Sequence, residues 1–240
     1  MALLKYRKAN GEISFHCGGS VITNRYIVIA AHCIELIASY WQLVGVRLGE
    51  YDLSNAGPDC KEGVCANVPV DVGIEKIIVH DSYASGLTAQ YNDIALIRTD
   101  RIVTFSKFIH PICLPVDEPE RSLNNVGKVA TAAGWGRTKT GFMSNVKLKV
   151  DLNITETTKC LNLFRMYNVK LRYKQLCAGG KRGEDTCAGD SGGPLMRLIK
   201  SNYYMFGIVS FGPEACGTQG VPGVYTNVVQ YLDWIESKLE

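Results

Sequence analysis

The chain has 240 residues, 46% hydrophobic and 20% charged, enough to bury one substantial core or two small ones. Its formal net charge of +3 is small, and the Lys and Arg are scattered apart from short groups such as Lys181-Arg182, which argues against a nucleic-acid surface. No stretch approaches the ~20 apolar residues of a membrane span, and Lys5 to Lys8 interrupt the apolar start before a signal-peptide core can form.

Strand-type runs recur at Cys17 to Ile22, Tyr26 to Ala30, Gln42 to Leu48, Glu75 to Val79, Asp93 to Ile97, Lys128 to Ala133 and Tyr204 to Val209. Helical periodicity is confined to Thr155 to Tyr167 and to Val229 to Leu239, the latter expected as a surface helix. The 24 Gly and 8 Pro punctuate short strands at the spacing of sandwiches or barrels, and no linker or repeat divides the chain. The fold class predicted is all-β. Nine cysteines without zinc-site spacing point to an oxidising compartment, and the sequon Asn153-Ile154-Thr155 agrees with a secretory route. Their odd number leaves one over, either as a free thiol or in a bond to another chain.

Three segments carry chemistry. In Gly189-Asp190-Ser191-Gly192-Gly193-Pro194, preceded by Asp185-Thr186-Cys187-Ala188, a serine lies in a glycine-rich loop. A serine hydroxyl is a weak nucleophile without a base, and the oxyanion it generates needs preorganised donors, which such a loop can supply. Ile29-Ala30-Ala31-His32-Cys33 ends an apolar run on a candidate base, and Asn92-Asp93-Ile94-Ala95-Leu96-Ile97 sets a carboxylate before an alternating strand. The order His, Asp, Ser separates this set from the convergent triads of subtilisins and α/β-hydrolases.

These segments resemble the trypsin and chymotrypsin family. So do Cys17-Gly18-Gly19-Ser20, His110-Pro111-Ile112-Cys113-Leu114-Pro115, Gly134-Trp135-Gly136, Gln175-Leu176-Cys177-Ala178-Gly179-Gly180 and Pro222-Gly223-Val224-Tyr225-Thr226, in order along nearly the whole chain. The resemblance implies one protease domain over residues 1–240. Two six-stranded antiparallel β-barrels, roughly 1–110 and 111–228, would pack face to face and precede a C-terminal helix. It implies a serine endopeptidase in which Ser191 is the nucleophile, His32 the general base and acid, Asp93 its orienting carboxylate, and the Gly189 and Ser191 N–H groups the oxyanion hole. Asp185 would lie at the base of the primary pocket, with Gly212 and Gly223 leaving room for an Arg or Lys side chain. Ser210 would belong to the edge that pairs with substrate backbone, next to Phe211 where the family usually has Trp.

The disulfides implied are Cys17–Cys33, Cys160–Cys177 and Cys187–Cys216. Cys60–Cys65 resembles the small-loop bridge of arthropod clip-domain proteases, in which the remaining cysteine, here Cys113, binds the regulatory light chain. That likeness points to a secreted, extracellular cascade protease of innate immunity or development with a zymogen as protein substrate, a serpin as inhibitor and no required cofactor. A structural calcium ion at Glu50 and Asp52, near Asp59 and Glu62, is the single metal site suggested. Active members start with Ile-Val-Gly-Gly or a close variant, whose ammonium pairs with the residue equivalent to Asp190. Met1 to Leu4 resembles a stretch further on, so about fifteen family residues are expected to be missing by analogy with the family layout. Two other readings remain: a binding module that keeps the fold without the chemistry, which the intact His32, Asp93 and Ser191 disfavour, and a digestive or venom enzyme, which the small bridge and Cys113 disfavour.

Overall fold

The structure, a computed structural model, describes residues 1–84 and 88–240. The first sheet comprises β1 (Ala2–Arg7), β2 (Ile13–Val21), β3 (Tyr26–Ile29), β4 (Gln42–Leu48), β7 (Val70–Val72), β8 (Ile74–Val79) and β9 (Ala95–Thr99). A separate hairpin, β5 (Cys60–Lys61) with β6 (Val64–Cys65), interrupts the series. The second sheet contains β10 (Val129–Gly134), β11 (Leu148–Asn153), β12 (Gln175–Gly179), β13 (Pro194–Ile199), β14 (Asn202–Phe211) and β15 (Pro222–Asn227). All their pairings are antiparallel.

Seven strands stand in the first sheet where six were expected, in the order β7-β4-β1-β2-β3-β9-β8. The extra one arises because Gly73 divides a single extended segment: β7 pairs with β4 on one edge and β8 with β9 on the other. Both Gly73 N–H and C=O are bound to Asp100, so the break is a bend that closes the sheet on itself. The second sheet, β11-β10-β13-β14-β15-β12, closes through the Ile154–Ala178 bridge and the Thr155 N–H to Cys177 C=O bond of 2.8 Å.

Burial explains the strand choices. β3 reads Tyr-Ile-Val-Ile and is buried throughout, as β-branched residues between two neighbours in a sheet should be. Its partner β9 opposes Ile27 with Ile97 and Val28 with Leu96. The helix α2 (Thr157–Met166) starts two residues later than expected, because the Glu156 carboxylate caps it, accepting from the N–H groups of Thr158 and Lys159. At the C-terminus, a 3₁₀ turn (Val228–Tyr231) leads into α3 (Leu232–Lys238). The turn and helix do more than cover the surface: Tyr231 of the turn and Leu232 and Ile235 of α3 join the core of the first barrel.

Tyr6 ties that core to the segment carrying His32. Its buried hydroxyl donates to the Cys33 carbonyl at 2.8 Å, one residue beyond the histidine, at the start of the one-turn helix α1 (His32–Glu35). Tyr6→Phe leaves that carbonyl unpaired, a loss of about 1–2 kcal/mol. Calorimetry should show a Tm lower by roughly 2–8 °C for a chain of this length, whereas an unchanged Tm would deny the bond any role in holding the segment.

Candidate active site

The nucleophile loop is built by its glycines. Gly189 and Gly192 have φ of +100° and +76°, values that side chains rarely tolerate. A Cβ at Gly192 would lie 2.5 Å from the Gly18 carbonyl and 3.2 Å from the Ala30 nitrogen, so only glycine lets this loop press against the first barrel. There the Gly18 N–H binds the Ser191 carbonyl at 2.7 Å, and the space beside Gly192 is bounded by Cys33 Sγ, itself 3.9 Å from His32 Nε2. The loop's other amides are committed: Asp190 N–H to Cys187, Gly192 N–H to Val209 and Gly193 N–H to Asp190. Among the described residues, the Gly189 and Ser191 N–H groups have no acceptor, and no hydrogen bond joins Ser191 Oγ to His32.

His32 and Asp93 come together as expected from sequence. The ring Nδ1 donates to Asp93 Oδ2 at 2.7 Å, since an ionised carboxylate only accepts, while the His32 backbone N–H binds Oδ1 at 2.9 Å. Asp93 is 0% exposed. Two residues of the second barrel hold it as well: Ser210 Oγ donates to Oδ2 at 2.5 Å, and Thr226 Oγ1 to the Asp93 carbonyl at 2.7 Å. Neither contact follows from spacing along the chain. With Nδ1 thus committed, Nε2 is left as the basic face of the ring, 3.9 Å from the Cys33 Sγ that bounds the space beside Gly192.

Asp185 and Asp190 line one cavity of about 540 Å³, together with Gly134, Gly136, Thr186 and Gly217. Asp185 accepts from the Thr186 and Gly217 N–H groups at 2.9 and 3.2 Å, and burial raises its pKa above the ordinary carboxylate value. A Cβ at Gly223 would come within 3.0 Å of Asp185 Oδ1, so that glycine keeps the carboxylate accessible; Gly212 faces Gly223. Thr186 and Tyr225, given no role by the sequence, share a hydroxyl contact of 3.0 Å beside it. Asp190 is oriented by Gly136 N–H at 2.8 Å and Cys187 N–H at 2.9 Å, and burial raises its pKa too. Among the described residues neither carboxylate forms an ion pair.

The sequence pattern described as Trypsin matches residues 1–235. The chain belongs to the trypsin family. CLIP domain-containing serine protease B4 of Anopheles gambiae is 49% identical over 99% of this chain and 66% of its own length, and Melanization protease 1 of Drosophila melanogaster is 45% identical over 100% and 62%. The crystal structure of the Drosophila Grass clip serine protease of the Toll pathway superposes with a TM-score of 0.82 at 37% identity, covering 98% of this chain and 66% of that one. The chain therefore spans just under two thirds of the length of these relatives.

The structure joins Cys17–Cys33, Cys60–Cys65, Cys160–Cys177 and Cys187–Cys216, the pairs that the resemblance implied. Cys113 is a half-buried free thiol on a segment that pairs with β14 through Tyr203 and Met205. Asn153 is exposed at the end of β11. No helix among the described residues is long and apolar enough to cross a membrane.

The calcium ligands suggested for this trypsin-family chain do not fit an ion. Glu50 is buried with its carboxylate on the Tyr51 N–H and Arg47, and its carbonyl accepts from the Lys147 ammonium at 3.1 Å. Asp52 is held by Ser54, and Asp59 by the Tyr51 and Asp52 amides. Lys147, its pKa lowered by burial, already brings a cation to the loop. Calcium or a chelator is accordingly expected to move Tm by less than about 1 °C; a clear rise with calcium would overturn this.

Proposed function

We propose that this chain is the catalytic domain of a secreted serine endopeptidase that cleaves after Arg or Lys and activates a downstream zymogen in an extracellular immune or developmental cascade. The observation that carries the chemistry is the His32–Asp93 pair, its carboxylate fully buried, in a chain whose nucleophile loop leaves the Gly189 and Ser191 amides without an acceptor. Ser191 would attack the scissile carbonyl as Nε2 takes its proton, the two amides would receive the oxyanion, and His32 would return the proton to the leaving amine. Hydrogen bonds between nucleophile and base commonly tighten only with substrate in place. Asp185, buried with only amide donors, favours a cationic side chain in the pocket. Asp190 is similarly suited to an entering ammonium, the partner a processed N-terminus would supply.

The cascade role leans on relatives named for melanization and the Toll pathway. The half-buried Cys113 thiol is consistent with a disulfide to a light chain, the exposed Asn153 with a glycan, and a serpin is the inhibitor class we expect. The test is turnover of peptides carrying Arg, Lys, Leu or Phe before the scissile bond by full-length, processed protein and its Ser191→Ala variant. Cleavage of the basic peptides alone, abolished by the substitution, supports the proposal. Absence of turnover from correctly processed protein favours a binding module.

A further inference from the structure

Met143 lies over the oxyanion loop. The position a Cβ would take on Gly189 is 2.2 Å from Met143 Cε and 3.0 Å from its Sδ, so the thioether fills the space the glycine leaves open. The same position is 3.1 Å from Gly136 Cα, and Gly136 is the residue whose N–H holds Asp190. Met143 is 42% exposed, and what is fixed is its backbone. It bridges to Arg137, and the neighbouring Ser144 N–H binds the Gly136 carbonyl at 3.2 Å. Just beyond, the segment from Asn145 to Lys147 is stitched to the first barrel: Leu53 N–H to Asn145 C=O at 2.9 Å, and Lys147 N–H to Tyr51 C=O at 2.8 Å.

We infer that Met143 is a positioning residue for the reaction proposed above, holding Gly189 in the left-handed conformation that keeps its amide free to receive the oxyanion. The inference rests on that functional reading but has its own physical content. A glycine has no side chain to lock its φ, so the peptide before Gly189 can rotate unless something packs against it. Van der Waals contact from a side chain carried on a paired backbone restrains that rotation without touching the reacting atoms. A flexible thioether fills an irregular gap of this kind, and Leu is its closest replacement in volume.

The test uses full-length, processed protein with Met143→Ala and Met143→Leu. Losing an oxyanion donor outright lowers kcat by about 10²–10³. A donor retained but loosened should lower kcat about tenfold in the Ala variant, with KM within about twofold, and Leu should restore it. Inhibitors separate positioning from general damage: a peptidyl arginyl boronate, whose adduct uses the oxyanion hole, should bind about tenfold more weakly to the Ala variant, whereas benzamidine, which needs only the Asp185 pocket, should bind equally. Amide exchange across residues 187–193 should accelerate in Ala and not in Leu, a readout that holds even if the unsubstituted protein turns over no substrate and the functional reading fails. Unchanged exchange together with unchanged boronate binding would overturn the inference, as would equal weakening of boronate and benzamidine.

Discussion

Asp93→Asn should lower kcat on an arginyl substrate by about 10⁴-fold while leaving KM nearly unchanged, the loss expected when a triad carboxylate becomes an amide. Three donors converge on this side chain: His32 N–H on Oδ1, and His32 Nδ1–H with Ser210 O–H on Oδ2. A carboxylate accepts all three. An asparagine has one oxygen and one NH₂, so at one end a donor must face a donor. If the oxygen stays with the backbone N–H, the NH₂ meets the ring, and His32 must take the tautomer with its proton on Nε2, the nitrogen required to receive the serine proton. Steady-state kinetics on the variant, with its folding checked by calorimetry, decides the matter. A kcat within tenfold of the parent would mean that Asp93 does not set the tautomer.

Asp185→Asn should lower kcat/KM for arginyl and lysyl peptides by about 10³–10⁵-fold, because a site built around one charged partner rejects ligands once that partner is lost. Reaction of Ser191 with a small uncharged fluorophosphonate, which does not use the pocket, should be nearly unaffected. The same substitution sets an NH₂ against either the Thr186 or the Gly217 amide, a fixed cost, but it also removes the pH dependence that the buried carboxylate brings to the free protein's stability. Burial raises the pKa of Asp185, against a lesser opposing effect from the Gly217 and Thr186 amides. Folding therefore favours the protonated acid: its contribution is complete below the ordinary value near ~4 and is lost as pH rises through the elevated one. The neutral variant escapes that loss. A Tm difference that moves in the variant's favour from acidic to neutral pH is the expected signature; retained selectivity for Arg and Lys would place the primary determinant elsewhere.

What was legible in the sequence was local. His32, Asp93 and Ser191 stood in short motifs, and the strands at Gln42–Leu48 and Ile74–Val79 could be read within a residue from apolar patterning. The four disulfide pairs and the closed barrels followed from resemblance rather than spacing. The parts that escaped depend on contacts between distant residues: Ser210 and Thr226 reach Asp93 from the other barrel, Met143 meets Gly189, and α3 returns to the first core. The bend at Gly73 is another, because one extended run divides between two sheet edges only once both neighbours are in place. For calcium, acidic residues close in sequence suggested a site, but in space Arg47, Lys147 and backbone amides had already claimed them.

Alkylation by a peptidyl arginyl chloromethyl ketone addresses the central geometry most directly, because it requires a serine hydroxyl, an imidazole and a cation-binding pocket to act on one small molecule. In folded, processed protein, peptide mapping should find one adduct per chain, on His32, and Ser191→Ala or Asp185→Asn should each suppress it. Modification elsewhere, or at His32 with equal speed in both variants, would contradict the convergence of these groups on a single reacting carbon.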